Sequence, residues 1–295
     1  MSATVFEAHR AELTRLAYRM TGSLAEAEDL VQEAWLRFEG QSVELPRAWL
    51  YRVVTRLCLD HLKSARHQRE VYPGPWLPEP IVEADDPLEL AEDLTLALLV
   101  ALERLSPLER AAWLLHEVYD FGYDELGGLL GRSNTACRQL VSRSRTHLRQ
   151  QRARFHPEPA AAQNLVSELV EAMMAGDLEG VMRHLREDVV LLSDGGGKAV
   201  AALRPVIGAD KVARFFVGVA QKFAPSSQTR VWLTRVGGLP GLVASEAGQV
   251  VTTLAFDIEG DRVVAIYATR NPDKLARVPI PRSGGWGASA PKGLG

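Results

Sequence analysis

Cysteine is scarce in this chain of 295 residues, which contains only Cys58 and Cys137. Two thiols cannot build the disulfide framework of a small secreted domain, and they are too few for a zinc or iron–sulfur cluster. Both fall among the apolar positions of predicted helices, where cysteine behaves as a small hydrophobic residue. We therefore expect no metal site and a reducing environment.

Long apolar stretches are also missing. No run approaches the roughly 20 residues that span a bilayer, and the N-terminal segment MSATVFEAHR lacks the apolar core of a signal peptide. We therefore expect no membrane partner and a cytoplasmic location. The net charge of −3 does not predict nucleic-acid binding, so such a function has to come from local charge asymmetry.

That asymmetry is strong between residues 132 and 154, a segment without a single Asp or Glu. It contains Arg132, Arg138, Arg143, Arg145, Arg149, Arg152 and Arg154. Just before it, residues 123–130 are predicted to form a short helix that ends at Gly131, and Ser133 is the predicted N-cap of the next helix. This order predicts a helix-turn-helix.

In a helix-turn-helix the second helix enters the major groove of DNA. Its buried stripe is predicted from helical spacing to be Cys137, Val141, Ser144 and Leu148. The residues left facing outward are candidates for DNA contact: Asn134, Thr135, Arg138, Gln139, Ser142 and Arg143. An amphipathic hairpin with a solvated arginine face is the alternative, but the turn, the cap and the one-signed helix together favour DNA binding.

Three amphipathic helices are predicted in the first 70 residues. The second follows a capping box of Ser23 and Glu26 and has an acidic outer face. The third begins near Pro46 and has a basic outer face that includes Arg52 and Arg56. Stacking surfaces for unpaired bases are offered by Phe38, Trp49 and Tyr51, although Trp49 fits a core position equally well.

A proline-rich segment, VYPGPWLPEP at residues 71–80, cannot continue the third helix, because each proline removes a backbone donor. Trp76 and Leu77 are unusual in a linker, which is normally polar, so we expect both to dock on another surface. An acidic stretch follows and leads into a predicted helix over residues 94–105.

Three segments of the first half resemble the sigma-2 and sigma-4 regions of the extracytoplasmic-function RNA polymerase sigma factors. They are AEAEDLVQEAWLRF, PRAWLYRVVTRLCLDHLKSARHQRE and LSPLERAAWLLHEVYDFGYDELGGLLGRSNTACRQLVSRSRTHLRQ, in the family's order and spacing. The resemblance implies that the chain binds core RNA polymerase and promoter DNA and directs transcription initiation.

The resemblance also implies roles for individual residues. The surface that engages the polymerase β′ clamp would contain Asp29, Gln32 and Glu33. The −10 strand would meet the loop at residues 38–46 together with Trp49, Arg52 and Arg56. The −35 element would be read by the outward residues from Asn134 to Arg143.

The second half is predicted to be an α+β domain, because helices precede an antiparallel run of strands. After a short linker, FHPEPAAAQ, we expect helices over residues 165–173, 178–185 and 208–223, a strand VVLLS, and strands over 230–236, 248–258 and 262–269, with turns at Pro240-Gly241 and at 259–261. The order resembles the cone-shaped SnoaL-like group of the NTF2-like superfamily.

A sigma factor with such an extension resembles one subfamily, whose signatures appear here as WLPEP, DGGGK and NPDKL. We expect the C-terminal domain to control the sigma domains through an intramolecular contact at the linker. The residues concerned are Trp76, Leu77, Asp194, Gly195, Gly196, Gly197, Lys198, Asn271, Pro272, Asp273, Lys274 and Leu275. Whether the chain also binds a small-molecule ligand or an anti-sigma partner stays an open question.

SnoaL-like domains also include enzymes, so catalysis has to be weighed. The acid–base pair in reach is Asp194 with His184, but His184 falls on a predicted helix outside the strands. The glycine segment lacks the full spacing of a phosphate-binding loop. We therefore expect no enzymatic activity and no cofactor. The alternative to a sigma factor is a stand-alone DNA-binding regulator with an effector pocket or a vestigial active site.

The predicted organisation is thus multidomain. Two all-α domains, sigma-2 at residues 1–70 and sigma-4 at 93–155, are joined by a Pro-rich acidic linker at 71–92 and followed by the α+β domain at 160–278. The remaining residues, 279–295, are rich in Gly, Pro and Ser and are predicted to be disordered.

Overall fold

Helices dominate the first half of the chain in the computed structural model, which describes residues 2–82, 95–152, 158–222 and 228–281. They are α1 (Ser2–Thr21), α2 (Leu24–Phe38), α3 (Pro46–Glu70), α4 (Leu96–Leu102), α5 (Pro107–Glu117), α6 (Tyr123–Leu130) and α7 (Asn134–Arg152). The chain divides into two compact units, one of residues 1–71 and 98–153 and one of residues 72–97 and 154–295. The sigma-2 and sigma-4 helices therefore belong to a single unit, here called the helical unit.

Arg110 of α5 helps to hold the helical unit together, although its side chain is almost fully buried. It donates to the Met20 carbonyl at the end of α1 and to the Leu102 carbonyl at the end of α4, and it pairs with Glu103 at 2.5 Å. A cation beside two helix C-termini meets their free carbonyls and the negative ends of their dipoles.

An aromatic cluster forms a second contact between the two sets of helices. Tyr51 of α3 packs against Tyr119 and Phe121, which follow α5, with ring centres 5.3 and 5.0 Å apart. Arg47 lies over the rings of Tyr51 and Phe121. Burial raises the pKa of Tyr119 to about 12, although Arg19 hydrogen-bonds to its hydroxyl and opposes the shift.

The helix-turn-helix forms at the predicted residues. α6 ends at Gly131, which adopts the left-handed conformation with φ of 63°, and such a cap favours glycine because it has no Cβ. Ser133 then accepts a hydrogen bond from the Ala136 amide at 3.2 Å, as an N-cap does. Cys137, Val141 and the rest of the predicted stripe are buried, so the predicted orientation of α7 is confirmed.

The second unit, here called the sheet unit, is an α+β domain, as predicted. It contains α8 (Pro159–Ala175), α9 (Leu178–His184), β1 (Leu185–Asp194), β2 (Val206–Ile207), α10 (Ala209–Lys222), β3 (Thr229–Val236), β4 (Leu239–Glu246), β5 (Gln249–Glu259), β6 (Arg262–Thr269) and α11 (Pro272–Leu275). The strand order is β2-β1-β6-β5-β4-β3, with β1 parallel to β6 and every other neighbouring pair antiparallel.

The core of the sheet unit lies between α8, α10 and one face of the sheet. Val166 and Leu169 of α8 and Phe216 of α10 share this core with Phe256 and Ile266 of the central strands. Because side chains alternate along a strand, the neighbouring residues of β1, β5 and β6 point to the opposite face. That opposite face carries Asp194.

Two local predictions were wrong. Pro240-Gly241 is not a turn but lies inside β4, and the β3–β4 turn is Gly237-Gly238. Pairing of β4 with β5 begins only at Gly241, so Pro240 precedes the pairs that β4 forms with β5. At Gly241 an added Cβ would collide with the Leu254 carbonyl, so a glycine suits this position. The second wrong prediction is the linker at 155–163. Its residues from Pro159 onward belong to the start of α8.

Two predicted segments fall on residues that the structure does not describe. They are the acidic stretch at 83–94 and the tail beyond residue 281. Within the described residues, no helix is long and apolar enough to cross a bilayer, and no group of three His, Cys, Asp or Glu side chains is placed to hold a metal ion.

Candidate DNA-binding surfaces and linker-docking site

The outer face of α7 carries the predicted −35 residues. Thr135, Arg138, Gln139, Ser142 and Arg143 are exposed, and together they line a shallow cavity of about 430 Å³. Within this set the charged side chains are both arginines. An exposed and positively charged helix face of this kind suits the phosphates and base edges of a DNA groove.

Arg138 is not a free surface arginine. Its Nε donates to Asn134 Oδ1 at 2.8 Å, and its guanidinium lies 4.4 Å from the centre of the Tyr123 ring. Asn134 in turn donates from Nδ2 to Asp124 Oδ1 at 2.6 Å. The amide of Asn134, predicted as a DNA contact, is therefore engaged within the protein.

Arg143 and Arg145 of α7 differ in their partners. Arg145 pairs with Glu117 of α5 at 2.6 Å and so helps to fix α7 on its neighbour. Arg143 lies 3.6 Å from Glu109 and is largely exposed. Arg143 is thus the more available of these two for a phosphate.

The basic face of α3 carries the predicted −10 residues Arg52 and Arg56, which are four residues apart and both exposed. Trp49 is half-buried and packs on Phe38 with ring centres 5.6 Å apart. The expectation that Phe38 and Tyr51 offer stacking surfaces was wrong, because both rings are buried in the core. Of the three aromatic candidates, Trp49 alone keeps an accessible edge.

The carboxyl of Asp60 lies among the positive charges of this face. A hydrogen bond from Lys63, together with the charges of Lys63, Arg56 and Arg37, holds the pKa of this carboxyl below its ordinary value. An added polyanion would meet the same field.

The outer face of α2 carries the predicted polymerase contacts. Asp29 and Gln32 are exposed, whereas Glu33 is half-exposed and pairs with Arg37 at 2.9 Å. The same face also presents Leu36, whose side chain is 58% exposed. Leu36 was missed because the apolar stripe of α2 was assigned to other positions, and an exposed leucine has no periodic signal of its own.

A second site lies on the sheet unit, where the linker crosses the end of β1. The carboxylate of Asp194 is fully buried and accepts hydrogen bonds from the Tyr72 hydroxyl at 2.6 Å, the Leu77 amide at 2.9 Å and the Gly196 amide at 3.0 Å. Lys274 Nζ completes the set at 2.7 Å. A buried carboxylate needs this complement of donors and a counter-charge.

Lys274 joins the linker to the sheet unit in several ways. Besides Asp194, its ammonium donates to the Leu77 carbonyl and lies 4.0 Å from the centre of a Trp76 ring. The Leu77 side chain is fully buried. The two residues singled out in the linker thus both contact the C-terminal domain.

Tyr72 was missed by the sequence analysis, although it lies just before the WLPEP segment. Its hydroxyl is shared between Asp194 and the amide of Asn271, which donates to it at 2.9 Å. Burial, and then the hydrogen bond to Asp194, raise the pKa of Tyr72 above its ordinary value. Nothing in the local spacing distinguishes this tyrosine from a solvated one.

The other residues of the two C-terminal signatures shape this site. Asn271 caps α11, where Pro272 occupies the first turn and Leu275 is buried. An added Cβ at Gly196 would collide with Asn271, and one at Gly197 would lie 2.7 Å from Pro73 of the linker. Gly195 precedes this turn, and Lys198 and Asp273 form an exposed ion pair at 2.5 Å. The structure therefore brings all three signatures together.

The backbone of Gly237 holds the linker at two further points. Its amide donates to the Ile81 carbonyl and its carbonyl accepts from the Leu96 amide, both at 2.7 Å. Val82 also forms an isolated antiparallel bridge with Val236 of β3.

The rejected acid–base pair is not formed. His184 lies 3.8 Å from Glu168, just before β1, whereas Asp194 ends that strand and is saturated by the donors described above. The ten residues of β1 separate the two by roughly 30 Å.

Comparisons with known proteins agree with the helical geometry. Residues 5–68 match the family "Sigma-70 region 2" and residues 95–148 match "Sigma-70, region 4". The chain is 42% identical to the ECF RNA polymerase sigma factor SigJ of Mycobacterium tuberculosis over 95% of both chains. It is 32% identical to the probable ECF sigma factor SigI of the same species over 92% of this chain and 94% of that one.

The structural comparison extends over both units. The crystal structure of M. tuberculosis SigJ superposes with a TM-score of 0.78 at 39% identity, covering 94% of this chain and 99% of that one. Two sigma-70 regions in the expected order, and relatives matched over nearly their whole length, establish that the chain belongs to the extracytoplasmic-function RNA polymerase sigma factors.

Proposed function

We propose that α7 contacts the −35 element, that α3 contacts the −10 strand through Trp49, Arg52 and Arg56, and that the Asp29, Gln32 and Glu33 face of α2 binds core RNA polymerase. The observation that carries the first role is the exposed, acid-free face of α7. The division between DNA and polymerase follows from charge, because phosphates are attracted to the arginines of α3 and α7 and repelled by the carboxylates of α2.

Charge reversal tests the polymerase surface. Asp29→Lys is expected to weaken assembly with core polymerase while leaving the fold intact, since exposed substitutions usually change stability by less than about 0.5 kcal/mol. Glu171→Lys, an equally exposed reversal on α8, is the matched control. Normal holoenzyme assembly by Asp29→Lys would remove this face from the proposal.

The C-terminal domain, in this proposal, regulates the sigma domains through the docked linker. The support is the set of contacts that Asp194 and Lys274 make with Tyr72, Trp76 and Leu77. Docking restrains the segment that connects the sigma-2 and sigma-4 helices, and differential stabilisation of one state is what shifts a conformational equilibrium.

Run-off transcription with core polymerase tests this regulation. Full-length protein, a truncation after His156 and the linker variant Leu77→Ser are expected to differ in promoter-directed transcription, because the last two lose linker docking. Equal activity of all three, with Trp76 fluorescence unaffected by the truncation, would show that the C-terminal domain is a passive passenger.

A small-molecule effector is less well supported than linker docking. A cavity of about 260 Å³ lies in the sheet unit between the start of α8 and strands β3 to β5, lined by Arg235, Pro240 and Phe256 among others. Ligand pockets usually measure about 300 to 1,000 Å³. We assign regulation to the linker because of its contacts with Asp194 and Lys274, and we propose a cytoplasmic protein that acts without a cofactor and without covalent chemistry of its own.

A further inference from the structure

Arg138 lies at the end of a chain of side-chain contacts that begins in α5. His116 Nδ1 lies 2.9 Å from the Phe121 carbonyl, and the His116 ring stacks on Tyr123 with centres 4.3 Å apart. Tyr123 then presents its ring to the Arg138 guanidinium at 4.4 Å. The flat face of this arginine is thus set by a ring that is itself held in place.

A second chain of contacts fixes the Nε side of the same guanidinium. Asp124 Oδ1 accepts a hydrogen bond from Asn134 Nδ2, and Asn134 Oδ1 accepts one from Arg138 Nε. Bidentate recognition of a guanine uses two N–H groups of the arginine fork. With the ring face and Nε engaged, the Nη edge of the fork is the part suited to that task.

We infer that Tyr123, Asp124 and Asn134 are positioning residues that hold Arg138 for recognition of a guanine in the −35 element. The inference rests on the proposed placement of α7 in the groove and names what determines its base preference. An arginine carries considerable rotamer freedom, and a residue fixed before binding loses less of it on contact with a base. Asn134 thereby acts through Arg138 and does not itself read a base.

Arg143 provides the contrast on the same helix. It is exposed, and its contact with Glu109 is long at 3.6 Å. A side chain held so loosely suits a phosphate, which tolerates several geometries and carries no sequence information. Arg143→Ala is therefore the matched control for Arg138→Ala.

The experiment uses holoenzyme reconstituted with core polymerase and a promoter duplex selected from a library randomised in the −35 region. Binding is then measured on that duplex and on its single-base variants. Arg138→Ala is expected to remove the preference at one base pair, and Tyr123→Leu to reduce that same preference about three- to fivefold. Tyr123→Phe keeps the ring and should retain it.

A double-mutant cycle distinguishes positioning from a structural role. In the Arg138→Ala background, Tyr123→Leu is expected to have no further effect on base preference, because residues that act as a unit are non-additive. Additive losses, a uniform weakening for all sequences, or an intact preference in Tyr123→Leu would each overturn the inference. Asn134→Ala, which keeps the ring, repeats the test if Tyr123→Leu lowers the helical content.

Failure of the proposed −35 surface gives a different result. If α7 does not meet DNA, Arg138→Ala and Arg143→Ala both leave affinity and its salt dependence unchanged. If α7 binds but Arg138 contacts a phosphate, Arg138→Ala weakens every sequence alike and lowers the salt slope by about one. The latter outcome rejects the inference and keeps the surface.

Discussion

Lys274 and Arg110 are both buried cations. Each forms hydrogen bonds and an ion pair with oxygen atoms of its own unit. Lys274 faces Asp194, whose side chain is 0% exposed, while its own is 9% exposed. Arg110 faces Glu103 and two helix-terminal carbonyls. Removing one partner of a buried ion pair is costly because the other keeps its desolvation penalty.

Lys274→Met should therefore destabilise the sheet unit by about 3 to 5 kcal/mol, since it leaves the Asp194 carboxylate buried without a counter-charge. Lys198→Met is the matched control, because its ion pair with Asp273 is exposed and such pairs contribute about 0 to 1 kcal/mol. Urea unfolding monitored by tryptophan fluorescence measures both. Equal effects of the two substitutions would contradict this account of the site.

Arg110→Met is expected to destabilise the helical unit by about 3 kcal/mol or more, because the α1 and α4 carbonyls and Glu103 each lose a hydrogen bond to the buried guanidinium. Lys63→Met, which removes an exposed pair with Asp60, should change little. Thermal unfolding followed by circular dichroism compares the stability of the two variants. A stable Arg110→Met variant would mean that water replaces the guanidinium at the helix ends.

Periodicity predicted which side chains are exposed, but not which of them are bound to one another. The outward set of α7 and the buried positions of Cys58 and Cys137 follow from spacing alone. The partners of Asp194 do not, since Tyr72 and Lys274 lie 122 and 80 residues away. Such pairs are fixed by the tertiary fold, which local patterns do not record.

The two adjacent glycines of α6 illustrate how an element tolerates the same substitution differently at neighbouring positions. Their helix propensities are identical, so the sequence alone does not distinguish them. In the structure, a Cβ at Gly127 would lie 2.8 Å from the Arg132 carbonyl, whereas one at Gly128 would lie 3.6 Å from the Arg52 guanidinium. The first distance is a clash with backbone and the second is ordinary contact.

Gly127→Ala is thus expected to disturb the turn before α7, with loss of both stability and −35 binding. Gly128→Ala should instead raise stability by about 0.5 to 1 kcal/mol, because alanine is the better helix former. Thermal unfolding and promoter binding of the two variants decide the matter. A stabilising Gly127→Ala would show that the close approach to Arg132 is not required.

The elements with a clear turn signal at both ends were predicted better than β4, which has a turn-like sequence of its own. The limits of α6 and β6 agree with the prediction to the residue, since a glycine or a polar turn marks each end. β4 was missed because Pro240-Gly241 has the composition of a turn, and the constraint that places it in a strand comes from the partner strand β5. A constraint of this kind depends on strand pairing and not on composition.

The division into two compact units predicts two steps of thermal unfolding. Lys274→Met should lower the midpoint of the sheet-unit transition and leave the other, while Arg110→Met should do the reverse. Differential scanning calorimetry of both variants and of the wild type measures this. A single transition that moves as a whole with either substitution would show that the units unfold together.

The backbone hydrogen bonds of Gly237 to Ile81 and Leu96 affect the promoter spacing that the protein can accept. Residues 71–95 connect α3 to α4, and fully extended they could span up to about 85 Å. That length corresponds to about 25 base pairs at 3.4 Å per pair. With the linker fastened on the sheet unit at both Asp194 and Gly237, we expect the permitted spacing between −10 and −35 elements to narrow. Leu77→Ser, which loses the buried leucine side chain and so weakens the docking at Asp194, should transcribe from promoters with a wider range of spacer lengths.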